Sequence, residues 1–175
     1  RKYRRPGARL LSMNSPSPLV RRADRVDAGQ IIALINAVCA EGQYFSTPHY
    51  VPTPQWEAAL YHPEKAPDHL LYVAEDAGVI IGEAQIFPCE DQPGVGELGI
   101  GVYESYRDRK VGSELLARLL KEAKLHYNRI VLYVLITNDR ALHVFEKAGF
   151  HEQGRRYHDY AHLGKQEQLV MQLEL

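Results

Sequence analysis

The stretch 97-ELGIGVYESYRDRKVGSELLARLL-120 decides how the chain is organised. Its first part alternates: Leu98, Ile100 and Val102 point to one side of a strand, and Glu97, Gly99 and Gly101 point to the other. Two glycines on one face cost strand stability, so either a bulge or a second molecule is expected against that backbone. After a short loop, Val111, Leu115, Leu116, Leu119, Leu120 and Ala123 form the apolar stripe of an amphipathic helix. The apolar run "RIVLYVL" at 129–135 then reads as a strand covered on both faces, which closes a βαβ unit. In such a unit the loop lies at the carboxyl edge of the sheet. Free backbone N–H groups from about Arg109 to Ser113 then face outward among Arg107, Arg109 and Lys110, as an anion site requires. A charged, solvated turn is the plainer alternative for the loop taken alone. Neither GxxxxGK[ST] nor GxGxxG is present, because the glycines at 99 and 101 lie inside the strand.

Toward the N-terminus, "PLVRRA" alternates as a short strand. Asp24 is placed to cap a helix with apolar positions at Ala28, Ile31, Ile32, Ile35, Val38 and Cys39. A proline-rich loop and a short helix "QWEAALY" follow. "HLLYVAEDAGVIIGEAQIFPC" reads as two strands joined by a three-residue loop, Asp76-Ala77-Gly78. Toward the C-terminus, Asn138 or Asp139 caps a helix that Gly149 ends, and strands near "FHEQGRRYH" and "QLVMQLEL" complete the order β-α-α-β-β-β-α-β-α-β-β.

The 175 residues suit one domain, with 45% hydrophobic and 25% charged residues and no apolar run near the ~20 that a membrane helix needs. Residues 1–22 hold seven Lys or Arg and no acid, leaving 14 basic against 22 acidic residues beyond them, a net of −8. A nucleic-acid surface on the folded part is therefore not expected. Residues 1–18 read as a disordered basic head or an expression remnant, with Met13 as an alternative start, and 19–175 as the domain. Cys39 and Cys89 read as reduced core thiols of a cytoplasmic protein, and the scattered histidines give no metal spacing.

Segments 69–150 resemble the GCN5-related N-acetyltransferase (GNAT) family. Its hallmark of Gln or Arg, two residues, Gly, one residue, then Gly or Ala is matched by Arg107, Lys110 and Gly112. "NDRALHVFEKAGF" at 138–150 matches a second family pattern. The resemblance implies a single α/β domain with a central mixed, mostly antiparallel sheet splayed between strands 4 and 5, flanked by about four helices. It also implies acetyl-CoA as cosubstrate, with direct attack by a primary amine of a small molecule, amino acid or peptide. The pantetheine arm would lie along strand 4 at Ile100 and Val102, and the pyrophosphate on Arg107, Asp108, Arg109, Lys110, Val111, Gly112 and Ser113, with Asn138 as a further contact. No membrane partner is expected, and a homodimer is compatible with the resemblance.

Glu97, on the glycine face, is the candidate general base acting through water. Glu41, Tyr44 and Phe45, with Tyr50 nearby, are candidates for the wall of a site for a cationic amine. Two departures stand out. Lys110 occupies the first motif glycine, and Phe145 stands where many members carry the tyrosine that protonates the leaving thiolate; Tyr133, Tyr157 and Tyr160 are the available substitutes. A catalytically silent acyl-CoA sensor of the same fold is the alternative function.

Overall fold

The computed structural model describes residues 17–175, so the expected basic head lies, through residue 16, outside the described residues. Eleven principal elements follow in the expected order: β1 (Leu19–Arg22), α1 (Ala28–Ala40), α2 (Pro54–Tyr61), β2 (Leu70–Asp76), β3 (Val79–Pro88), β4 (Val95–Val102), α3 (Val111–Ala123), β5 (Arg129–Leu135), α4 (Asp139–Lys147), β6 (His151–Tyr160) and β7 (Gly164–Glu174). The strands form one seven-stranded sheet in the order β1-β2-β3-β4-β5-β7-β6. Among these neighbours only β4 and β5 run parallel. No helix among the described residues is long and apolar enough to cross a membrane.

Local chemistry explains the boundaries. Asp24 opens a single 3-10 turn, Arg25–Asp27, rather than α1 itself. Asp27, buried at the start of α1, is held by both terminal nitrogens of Arg21 at 2.7 and 2.9 Å and accepts from the Asp24 amide at 2.8 Å. Thr53 Oγ1 caps α2 by accepting from Trp56 N at 3.2 Å, and Pro54 fills the first helical position. The β2–β3 connection is tighter than the expected three-residue loop. Asp76 pairs with Val79, and the two residues between them, Ala77 (φ 49°) and Gly78 (φ 82°), both adopt left-handed backbone, as a two-residue hairpin turn requires. A bulge nearby pairs Ala74 with Gly82 but Glu75 with Ile80, leaving Ile81 as the extra residue.

The sheet carries an apolar layer on each face. On one side α3 lays Leu115, Leu116 and Leu119 over Ala84, Ile86, Leu98, Ile130 and Leu132, and Phe145 of α4 joins the same cluster. On the other, α1 and α2 cover Leu71, Val73 and Ile80 with Ile31, Leu34, Val38 and Trp56. Cys39 is buried in this second layer and Cys89 is half-buried; both are free thiols.

Two features shape the middle of the molecule. The β3–β4 ladder runs unbroken from Gly82 opposite Val102 to Pro88 opposite Gly96, so the glycine face of β4 carries no bulge. The β4–β5 ladder, by contrast, stops at Glu97 opposite Val131. Beyond Glu97 the edge of β4 from Leu98 to Val102 has no strand beside it, while β5 continues along β7 to Leu135. The loop from β4 to α3 turns through left-handed backbone at Asp108 (φ 61°) and Lys110 (φ 65°).

Two stability outcomes are expected in thermal denaturation. A Cβ at Gly96 would sit 2.5 Å from Ile86 Cγ2 and 3.0 Å from the Tyr127 ring. Gly96→Ala therefore overpacks the core and lowers stability by about 1–3 kcal/mol. Lys110→Gly removes a left-handed side chain at a strain of about 1–2 kcal/mol but gives the unfolded chain more freedom, for a net gain of about 0.5–1 kcal/mol and a higher Tm.

Candidate active site

The gap between β4 and β5 is a cleft of about 580 Å³. Its walls are Leu98–Val102 of β4, Leu132–Leu135 of β5, the first turn of α3 and one side of α4. The unpaired β4 backbone offers strand-type donors and acceptors to an extended guest, as a sheet edge does for an added strand. At the far end lies α3, whose first helical hydrogen bond is Glu114 N to Lys110 O at 3.0 Å. The amides of Val111, Gly112 and Ser113 precede that bond and point out of the helix end, where the dipole favours an anion. The left-handed Lys110 is the N-cap residue and makes no side-chain cap, so the mouth of the helix is open.

Ile100, Val102, Arg107, Asp108, Lys110, Val111, Gly112, Ser113 and Asn138 all line the cleft, as do Tyr44 and Phe45. Arg109, Glu41 and Glu97 do not line it. The Arg109 guanidinium lies over the Tyr106 ring, 5.3 Å from its centroid. Arg107 and Glu41, expected to serve two different ligands, hold each other: NH1 and NH2 reach Glu41 Oε2 and Oε1 at 2.7 and 2.5 Å. Arg107 Nε also donates to Val102 O at 3.0 Å, and its guanidinium faces the Tyr44 ring. This half-buried pair ties the end of β4 to the end of α1. Asp108 accepts from Arg140 Nε at 3.0 Å, linking the loop to α4. Asn138 Oδ1 caps α4 by accepting from Ala141 N at 3.3 Å.

Glu97 lies one residue before the β4 part of the wall, half-buried at the last β4–β5 pair opposite Val131. Burial raises its pKa, and nearby Arg156 opposes the rise. Arg156 stacks on Tyr133, its guanidinium carbon 3.2 Å from the ring centroid, and its Nε donates to Gln168 Oε1 at 2.8 Å. Gln168 Nε2 donates in turn to Tyr160 OH at 2.8 Å, and that hydroxyl donates to Tyr44 O at 3.4 Å. Of the three tyrosines considered as substitutes at position 145, only Tyr133 reaches the cleft wall. Tyr160 is buried inside this chain of bonds, and Tyr157 is exposed under Lys165. Phe145 lines the cleft and packs edge-on against Phe150, 5.8 Å between centroids. It brings no hydroxyl.

Sequence reasoning passed over Glu83. It lies opposite Gly101 in the β3–β4 ladder and opposite Val73 in the β2–β3 ladder, 2% exposed, with Oε2 unpartnered. Burial pushes its carboxyl up to about 8. One acid within the largely apolar "VIIGEAQIF" was the available signal. Arg156 was equally missed, and nothing local in "GRRYH" separates it from its neighbour Arg155.

Comparison with known proteins agrees with this geometry. Residues 33–150 match the model of the acetyltransferase (GNAT) family. Among solved structures, a GNAT-family acetyltransferase from Streptococcus pneumoniae superposes with a TM-score of 0.79 at 23% identity, covering 90% of this chain and 99% of that one. A ribosomal-protein-alanine N-acetyltransferase from Brucella melitensis gives 0.77 at 23%, covering 90% and 99%. A phosphinothricin acetyltransferase from Sinorhizobium meliloti, solved in complex with acetyl-CoA, gives 0.78 at 18%, covering 91% and 89%. With a family match over residues 33–150, the parted β4 and β5, and the open N-terminus of α3 between them, this chain belongs to the GNAT family of acetyltransferases.

Proposed function

We propose that the protein binds acetyl-CoA in the cleft and transfers the acetyl group to a primary amine by direct attack. The observation that carries this reading is the unpaired β4 edge, Leu98–Val102, running toward the free amides of Val111, Gly112 and Ser113. The edge suits the amide-bearing pantetheine arm, and the helix end, with the Lys110 ammonium beside it, suits the pyrophosphate. Bound there, acetyl-CoA supplies a thioester whose carbonyl carbon is the electrophile.

The residues of the chain then have separate tasks. An alkyl amine with a pKa of about 10.4 is only about 1 part in 2,500 neutral at pH 7, a handicap of roughly 4.6 kcal/mol. Glu97, at the start of the splay and on the face away from α3, takes up the ammonium proton through water. Arg156 keeps its carboxylate available, because a neighbouring cation favours the ionised form. As the C–N bond forms and the C–S bond breaks, the thiolate takes a proton from the Tyr133 hydroxyl; the Arg156 guanidinium stacked on the ring offsets the charge of the phenolate, which water then reprotonates. Tyr44 and Phe45 form the acceptor side of the cleft. The silent sensor draws support from Phe145, which leaves the usual acid position without a hydroxyl.

Calorimetric titration with acetyl-CoA, followed by thiol release over a panel of amines, tests the proposal. Binding with turnover is the expected result. Binding without turnover on a broad panel favours the sensor, and no binding rules out both. Lys110→Gly is expected to weaken acetyl-CoA about fivefold through the lost phosphate contact.

The pH profile has a definite sign. The base works only when ionised, so kcat/KM falls as pH drops through a pKa above the ordinary glutamate value of about 4.3. Arg156→Gln removes the cation that opposes the rise and moves this acidic limb to higher pH. Glu97→Gln abolishes the limb and lowers kcat by about 10²–10⁴. An unchanged rate and profile in Glu97→Gln would refute the assignment.

A further inference from the structure

The side of α4 that faces the cleft is basic, and its acids lie elsewhere on the helix. Arg140, His143 and Lys147 line the cleft, whereas Asp139 and Glu146 of the same helix do not. Lys110 and the open end of α3 belong to the same wall. Two of the basic groups in that wall are committed to carboxylates, Arg107 to Glu41 and Arg140 Nε to Asp108 at 3.0 Å. Lys110, His143 and Lys147 form no ion pair among the described residues. A helix that meets only water gains from pairing opposite charges along one face, and α4 does the reverse.

The proposed pyrophosphate uses the amides of Val111, Gly112 and Ser113 together with Lys110, which leaves His143 and Lys147 without a task. These two stand four residues apart on one face of α4, so their Cβ atoms are about 5–6 Å from each other. An imidazole N–H and an ammonium at that spacing reach two oxygens of a single tetrahedral anion. Their position along the helix is also defined. Arg140, bound to Asp108, marks the end of α4 that is tied to the β4–α3 loop, and the pair lies farther along by about 5–10 Å at the helical rise per residue. An anion held there is separate from the one on the α3 end. Coenzyme A carries such a group, the phosphomonoester on the 3′ carbon of its ribose, one sugar away from the pyrophosphate and with a charge of about −1.5 to −2 at neutral pH.

We propose that His143 and Lys147 form a subsite for the 3′-phosphate of coenzyme A, so that the protein selects acyl donors carrying that phosphate over their 3′-dephospho forms. This inference rests on the acetyltransferase reading and on the pyrophosphate lying at the α3 end. The adenosine then spans the mouth of the cleft from the α3 end to α4. Both side chains are exposed, so the contact weakens as salt is added.

Calorimetric titration of the whole chain with coenzyme A and with 3′-dephospho-coenzyme A reads the preference directly and needs no acceptor amine. At low ionic strength the wild type is expected to bind coenzyme A about tenfold more tightly, and the ratio of the two Kd values falls as salt is added. Combining His143→Gln with Lys147→Gln should bring that ratio to about one by weakening coenzyme A alone, with the dephospho form held as before. Lys110→Gly should weaken both forms alike and leave the ratio intact, because it acts at the pyrophosphate. Lys121→Gln with Lys124→Gln removes two exposed charges of α3 that lie outside the cleft wall, and should not change the ratio. A wild-type ratio of about one, a preference that survives in the His143 and Lys147 variant, or an equal loss in the Lys121 and Lys124 variant overturns the proposal. In each of these cases binding of the dephospho form leaves the acetyltransferase reading standing. Binding of neither form overturns that reading, and this inference with it.

Discussion

The whole site depends on β4 and β5 parting company after Glu97. Parallel neighbours normally stay paired, because each unpaired N–H and C=O turned from water costs free energy comparable to a lost hydrogen bond. Here the ladder ends at Glu97 opposite Val131, and each strand is secured on its other side, β4 by β3 and β5 by β7. That anchoring lets the gap stay open without unravelling the sheet. The polar edge left behind has the spacing of a missing strand, which suits the extended, amide-bearing guest proposed for it.

Charge in the loop beyond β4 is divided between structure and binding in a way the residue types alone do not announce. Arg107 has one nitrogen on Val102 O and two on Glu41, so its fork braces β4 against α1. Arg109 lies on Tyr106, and Asp108 is tied to Arg140. What remains for an anion is the backbone of Val111, Gly112 and Ser113 together with Lys110. This is consistent with helix-terminus chemistry, in which aligned amides carry the recognition and side chains add to it. Lys110 meets both demands of its position: its backbone adopts the left-handed turn that a glycine would adopt, and the residue belongs to the cleft wall beside the start of α3.

Periodicity made the order of elements legible, because apolar spacing differs so plainly between "RIVLYVL" and "VGSELLARLLKEA". The half of the cleft proposed for the cofactor was legible as a shared wall for the same reason: it is built from contiguous sequence, one strand, one loop and the start of one helix. Small misreadings occurred where neighbours rather than local pattern decide. The Asp76–Gly78 loop is shorter by one residue because the turn tolerates Ala77 in left-handed backbone, and Asp24 opens a 3-10 turn because Arg21 holds Asp27 at the start of α1. Of the half proposed for the acceptor, only Tyr44 and Phe45 were legible. Arg156 meets Tyr133, and Glu83 meets Gly101, only through strand register, which a single sequence does not contain.

The distribution of unsatisfied polar atoms argues that the α1-facing side of the sheet serves chemistry more than stability. Glu83 Oε2 and Trp56 Nε1 are both buried there without partners, whereas on the α3-facing side the buried atom without a hydrogen bond, Arg22 Nη1, still lies 3.2 Å from Glu122 Oε1. Each such orphan costs about 1–3 kcal/mol, and a buried carboxyl more, while an apolar side chain of similar volume would cost nothing of the kind. A fold optimised for stability alone would have filled position 83 with leucine or methionine. The carboxyl lies beside two consecutive alternating glycines that also weaken the strand, so the same few residues of β3 and β4 concentrate the stability cost. Such concentration is expected directly behind the wall of a site, where strain is tolerated for the shape it holds.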